Sequence, residues 1–347
     1  MAHTLAFINP RLSTQNVGDL FIEDSVKRIL CYDRLNSVDI DPRLPITNVD
    51  IARINATDAA IIVGTNLWYR DLPRPGRWQF TLEDLRKIRV PIIPMGIGTT
   101  RHEGEDNGFE PETLAQIRYI HQRCTEGSAR DGRTVEALQA AGVRNVRMTA
   151  CPTLFRTLLP SWRLNGKAGR QVVVTVRKRQ KQNARELIGL LRSAGREPII
   201  AAQQSKDRDV RYRRPWLRRK TPLLYEYDVW PYRRIVEQSV GAIGWRLHGN
   251  MLHLAHGNRA MFLANCSRAE SFCRSLALPY VYCPDRRRLS PAQIEAAVET
   301  FFDAGSYSAF PARYAEYYQA MADFLEANGL RHNLAPQAAT GQHRAAA

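Results

Sequence analysis

Two side chains suited to anion and proton chemistry stand two residues apart in Gly244-Trp245-Arg246-Leu247-His248-Gly249. A guanidinium grips a carboxylate or phosphate through two parallel hydrogen bonds. An imidazole moves a proton near neutral pH. The flanking residues say where both groups sit. Gly241 to Gly244 reads as a short buried strand, followed by a sharp turn and a helix that Gly257-Asn258 terminates. Arg246 and His248 therefore fall at the carboxyl end of a strand, beside the amino end of a helix. Backbone N–H groups and the helix dipole favour negative charge there. Gly249 suits close approach of the backbone to a ligand. The plainer alternative is an arginine paired with a carboxylate and a histidine satisfied by backbone.

Arg177 directly follows the β-prone run Val172 to Val176 and should face the same strand-end crevice, where with Arg246 it can clamp two anionic groups of one small ligand. Asn16-Val17-Gly18-Asp19 follows the first strand. Its amide and carboxylate can face a cleft and receive a hydroxyl proton or orient a sugar; the competing reading is Asp19 as a helix cap. Arg130-Asp131 is another strand-end turn, with a local ion pair as its competing reading. His253 and His256 lie three apart on a predicted helix, but no Asp or Glu joins them, so no metal site is expected. Gly96-Ile97-Gly98 is a fragment of a dinucleotide turn and lacks the third glycine.

The elements that position these residues alternate. Leu5–Ile8, Asp58–Val63, Val90–Met95, Gly127–Asp131 and Val143–Met148 read as strands, interleaved with helices near 20–30, 114–123 and 134–141. After a Pro- and Gly-containing linker at 160–169 the pattern restarts with strands at 172–176, 197–202, 241–244 and 259–263. Short apolar strands alternating with helices imply mostly parallel sheets. The expected fold class is α/β, with two Rossmann-like domains, 1–160 and 170–303, facing a central cleft. A helix at 304–330 can pack back on the first domain, and the tail 331–347 reads as disordered.

Composition narrows the partners. Lys plus Arg number 50 against 34 Asp plus Glu, a net charge of +16, which favours an anionic partner. The run Lys206–Lys220 mixes arginines with Tyr212 and Trp216. It suits an anionic membrane surface or a solvated loop; no nucleic-acid module frames it, so nucleic acid is not an expected partner. The amino terminus reads as a first strand and not a signal peptide, and no run is apolar enough to span a bilayer. The six cysteines form no Cys-x-x-Cys pair and read as reduced structural thiols. A cytoplasmic setting follows as the expectation, with peripheral attachment to the inner membrane kept open.

Taken together, these segments resemble the polysaccharide pyruvyl transferase family. The likeness runs through Asn16–Asp19, Gly64, Pro94–Gly98, Arg130-Asp131 and Val174–Arg177, and is most specific at Gly244–Gly249. The resemblance implies the GT-B arrangement of glycosyltransferases and transfer of a pyruvyl group from phosphoenolpyruvate to two hydroxyls of a sugar. The acceptor would be a cell-surface polysaccharide or its lipid-linked precursor. It implies donor contacts from Arg246, Leu247 and His248, with Arg177 on the donor's charged groups. Two positions depart from the family pattern: Cys151 stands where an aspartate often precedes proline, and Arg268 follows Ser267 where a lysine is common. Arg268 keeps that charge in a different shape. The expected site is then His248 as acid and Asp19 as base; Arg177, Arg246, Leu247, Gly249 and Arg268 on the donor; Asn16, Gly18 and Arg130 on the acceptor. No cofactor is expected beyond phosphoenolpyruvate as donor substrate. A nucleotide-sugar glycosyltransferase of the same architecture is the alternative.

Overall fold

A computed structural model describes residues 3–99, 108–210, 221–284 and 287–337. The strands are β1 (Leu5–Ile8), β2 (Val38–Ile40), β3 (Ala59–Val63), β4 (Asn66–Trp68), β5 (Ile92–Met95), β6 (Gly98–Thr99), β7 (Gly127–Ala129) and β8 (Val146–Met148), then β9 (Gln171–Val176), β10 (Glu197–Ala202), β11 (Leu223–Leu224), β12 (Gly241–Gly244), β13 (Arg259–Ala264) and β14 (Tyr280–Tyr282). In the first half β2-β1-β3-β5 pair in parallel, and a parallel bridge between Ile97 and Ala129 carries the sheet on to β7 and β8. In the second half the order is β11-β10-β9-β12-β13-β14, again all parallel. The central strands β1, β3 and β5 are buried along their whole length, as expected when helices cover both faces of a sheet.

Each order reverses once: between β1 and β3 in the first sheet, and between β9 and β12 in the second. A crevice opens at such a reversal, outside the carboxyl ends of the strands. Arg177 follows β9 and Trp245-Arg246 follow β12, so the second reversal carries both arginines. Among the described residues no helix is long and apolar enough to cross a membrane.

The helix Val17–Ile29 joins the halves. Its C-terminal part packs into the first core through Ile22, Val26 and Ile29. Its N-terminal part packs Val17, Leu20 and Phe21 onto the second half, against Val173 and Ala242 of the sheet and Tyr232 of the helix Trp230–Gln238. Phe21 is fully buried, which is worth about 2–3 kcal/mol across that interface. Val17 N–H also donates to the Gln203 carbonyl at 2.9 Å. The helix opens at Val17 and not at Asp19, because Asn16 is its N-cap.

The segment 160–169 is no free linker. Trp162 stacks edge-on against Phe310 and donates to the Leu254 carbonyl at 2.6 Å. The last helix, Phe310–Ala327, lies against Phe155 through Tyr314 and Tyr318 and is tied to Glu126 by Asn328. The tail corrects an expectation of disorder over its described part. Asn333 bonds the Arg28 and Leu30 carbonyls, Leu334 is buried, and Tyr318 Oη donates to the Ala335 carbonyl. Apolar burial at Leu334 and satisfied amides offset the ordering entropy that composition alone suggested would prevail. Residues 338–347 lie outside the described residues.

Candidate active site

The helix Leu247–Ala255 is the site's main strut. It is short and buried from Gly249 onward, with its polar Asn250 satisfied by Thr175 and by the Gly244 and Met261 carbonyls. It ends in a Schellman motif: Gly257, at φ +75°, donates to the Leu254 carbonyl, and Asn258 donates to that of His253. Only a residue tolerant of positive φ closes the helix this way, so Gly257-Asn258 is the terminator read from the sequence. The helix start is thereby held at the mouth of β12, presenting Arg246 and His248 to the gap between the sheets.

That gap is a cavity of about 670 Å³. Asn16, Asp19, Arg130, Arg177, Arg246, Leu247, His248 and Arg268 all line it. Four helices start at its edge, with Asn16, Asp131, Arg246 and Cys266 at their N-caps. Their dipoles add positive potential to a lining already dominated by arginine. Gly18 and Gly249 are not part of the lining. A Cβ at Gly18 would press on Gln203 and His248, and one at Gly249 would overlap the Gln203 amide. Both glycines make room for a neighbouring side chain.

The arginines differ in their partners. Arg246 gives one guanidinium nitrogen to Asp207 and to Gln204 Oε1 at 3.0 Å, and its Nε to the Val176 carbonyl at 3.2 Å. It is an arginine paired with a carboxylate, so its charge is already opposed. Arg130 is 1% exposed, and among the described residues neither its Nε nor one terminal nitrogen has a hydrogen-bond partner. Its nearest carboxylate, Asp131, stands at 3.8 Å and spends one oxygen capping the helix Gly132–Ala140 through Thr134. Arg268 Nε is likewise buried and unpartnered. Burial and the like charge of Arg268 press the Arg130 pKa down. Arg130 therefore sits beside Arg268, with Asp19 of the acceptor-side loop also within electrostatic reach.

His248 completes this group. Its Nε2 is sealed and has no partner. Burial first, then Arg130, Arg268 and Arg246, hold its pKa well below the usual value near 6.5, so the empty site carries a neutral imidazole. Asp19 is buried and engaged. It accepts from Thr14 Oγ1 at 2.6 Å, Asn16 Nδ2 at 3.1 Å and Arg43 at 3.2 Å. A carboxylate has about four acceptor positions, so one remains.

The sequence reading missed several members. Gln203 is 2% exposed, with an unpartnered Nε2, and lies just past β10. Its place after a strand of the same sheet was the available signal. Arg43 follows β2, a three-residue strand interrupted by Asp39 that periodicity does not reveal. Asp207 was hidden inside the basic run; Lys206–Val210 of that run are described, and 211–220 lie outside the described residues. His253 and His256 do not share a site. His253 faces Ser239, and His256 bonds Arg156; burial drives their pKa values to about 3 and about 4.

Solved structures resemble the whole chain. The Staphylococcus aureus MnaA–UDP complex superposes with a TM-score of 0.52 over 94% of this chain and 95% of that one, at 11% identity. The Neisseria meningitidis UDP-GlcNAc 2-epimerase bound to UDP-GlcNAc gives 0.50 over 93% and 98%, at 10% identity. At such identities the likeness shows the fold alone, and that fold is GT-B. No curated protein sequence matches the chain. The family description Polysaccharide pyruvyl transferase matches residues 16–267, and the chain belongs to that family.

Proposed function

We propose that the protein transfers a pyruvyl group from phosphoenolpyruvate to two hydroxyls of a sugar, forming a ketal and releasing phosphate. The observation that carries this reading is the group of buried nitrogens on Arg130, Arg268 and His248 around one cavity that have no hydrogen-bond partner among the described residues. Buried guanidinium nitrogens without hydrogen-bond partners are costly unless an anion satisfies them. A three-carbon ester with a phosphate and a carboxylate offers two such anions. Arg130 and Arg268 take one, and Arg177 stands at the adjacent strand end for the other. Arg246 acts through Asp207 and Gln204 to hold the turn that carries Leu247 and His248.

The donor's charge changes the histidine. An anion beside His248 favours the imidazolium that the empty site disfavours. The imidazolium then gives its proton to the methylene carbon, and C2 becomes oxocarbenium-like beside the donor's carboxylate. A sugar hydroxyl bonds to C2 and loses its proton. The C2–O bond to phosphate breaks with its electron pair leaving on the phosphate. The second hydroxyl bonds to C2, loses its proton, and closes the ketal. Asp19, with one acceptor position left, orients a hydroxyl and takes its proton; Asn16 steadies that carboxylate. The arginines neutralise the departing phosphate, so the step calls for no metal or organic cofactor. A lipid-linked acceptor and a peripheral membrane setting belong to the same reading and rest on the net charge of +16.

The test is phosphate release from phosphoenolpyruvate, dependent on a sugar acceptor, with the pyruvyl ketal identified by mass. His248→Ala with full turnover would remove that histidine as the acid. Saturable binding of a nucleoside diphosphate sugar, with none of phosphoenolpyruvate, replaces the proposal by a nucleotide-sugar transferase.

A further inference from the structure

A neutral buried imidazole carries one N–H, and its hydrogen-bonding neighbours decide which ring nitrogen holds it. A carboxylate often does this, but the carboxylates near His248 have other partners. Asp207 accepts from the Lys178 N–H at 3.1 Å, from the Gln204 N–H at 3.2 Å and from Arg246. Asp19 is taken up by Thr14, Asn16 and Arg43.

Gln203 is placed to do it instead. It directly follows β10, is 2% exposed, and accepts the Val17 N–H on its backbone carbonyl at 2.9 Å. Its carboxamide is wedged between two glycines. A Cβ at Gly249 would overlap its Nε2, and one at Gly18 would stand 3.1 Å from its Oε1. That same point above Gly18 lies 3.1 Å from His248 Nδ1 and 3.3 Å from Asn16 Oδ1. The Asn16 amide is fixed in this orientation, because its Oδ1 accepts from the Gly18 N–H at 3.3 Å and its Nδ2 donates to Asp19 at 3.1 Å. Nδ1 thus has two amide oxygens beside it, within reach of a direct bond or one bridging water. Nε2 has no partner among the described residues. The charges that bear on the ring, Arg130, Arg268 and Arg246, are all cationic and accept nothing.

We infer that Gln203 is a positioning residue for His248: its carboxamide oxygen holds the imidazole as the Nδ1–H tautomer, so the proton that arrives with the donor must go to Nε2. That the residue is glutamine matters. A glutamate would accept the same bond but carry a charge that favours the imidazolium before any donor is present. A neutral amide sets the tautomer and leaves protonation to the donor. The link also crosses the cleft, since Gly18 belongs to the helix Val17–Ile29 and Gly249 to the helix Leu247–Ala255.

The use made of the proton rests on the ketal-forming reading; the tautomer is read in the ligand-free protein. The experiment is long-range proton–nitrogen correlation NMR on the full chain with labelled histidine, at neutral pH, the His248 ring being assigned by its loss in His248→Gln. The wild type is expected to show Nδ1 protonated and Nε2 bare. Gln203→Leu, with its melting temperature as the check on folding, is expected to relax to a mixture of the two forms. Gln203→Glu is expected to keep Nδ1 protonated and to hold the imidazolium at a pH where the wild-type ring is neutral. In steady-state phosphate release Gln203→Leu should lower kcat about tenfold and leave KM for phosphoenolpyruvate within about twofold of wild type. An Nε2–H tautomer in the wild type, an unchanged tautomer in Gln203→Leu, or a neutral ring in Gln203→Glu overturns the inference. So does a raised KM at unchanged kcat, which would make Gln203 a donor contact. Absence of phosphate release from the wild type would instead remove the ketal-forming reading and leave the NMR result to decide this one.

Discussion

Arg130 and Arg246 are both arginines at strand ends, both enclosed, and both on the same cavity, yet their surroundings are opposite. Arg246 is satisfied on three sides by Asp207, Gln204 and the Val176 carbonyl. Arg130 lacks partners for two nitrogens and shares its space with another cation, Arg268. The difference teaches where a ligand's charge has to go. A guanidinium that already holds a carboxylate gains little from a second anion and serves to hold the turn. One with buried nitrogens that lack hydrogen-bond partners is costly, and under the proposed reading an arriving anion offsets that cost.

The comparison can be broken most directly at Arg130. Arg130→Gln should lower kcat/KM for phosphoenolpyruvate by about 100-fold or more, since buried, hydrogen-bonded charge contacts contribute about 2–5 kcal/mol; steady-state phosphate release reads this. A loss smaller than that of Arg246→Gln would reverse the assignment. Next in size is Asp207→Asn, which strands the Arg246 charge and should destabilise the fold by about 3–5 kcal/mol in urea unfolding. An unchanged midpoint would show the pair to be exposed in solution.

The third difference is one of size. Arg130→Met removes a buried charge whose carboxylate, Asp131, stands at 3.8 Å without a hydrogen bond to it, and should cost the ligand-free protein less stability than Arg246→Met does. Paired thermal melts decide it, and two shifts of equal size would dissolve the distinction. The smallest effect sharpens the role of His248. If, as proposed, the donor's charge favours the imidazolium that the empty site disfavours, donor binding takes up a proton. That affinity is greatest at low pH and is lost as pH rises through the bound-state pKa. Calorimetry in two buffers of different ionisation enthalpy should show fractional proton uptake at pH 7; zero uptake would mean the imidazole stays neutral.

Much of this was legible along the chain. The runs Leu5–Ile8, Ala59–Val63 and Val172–Val176 are apolar without alternation, which only a strand covered on both faces tolerates. The helix Pro291–Phe302 begins with Ser290 as a capping box and Pro at its first position, both readable from residue types. Other elements left no such trace. β2 is three residues long, and Asn66–Trp68 pairs with the two-residue Gly98–Thr99. Strands this short carry too few residues for a period to show.

The sequence by itself determined which groups stand at strand ends. Strand, turn and helix are local, so the position of Arg177, Arg246, His248 and Arg130 at the carboxyl edges followed from patterns within a few residues. It also determined the end of the helix that carries His248, because Gly257 alone tolerates the φ that closes it. Only the tertiary structure decided which of those groups are free to act. Asp207 lies 39 residues before Arg246, and Arg268 lies 138 residues after Arg130, so their pairing and their repulsion are contacts that no local pattern encodes. Charge satisfaction is a property of neighbours in space.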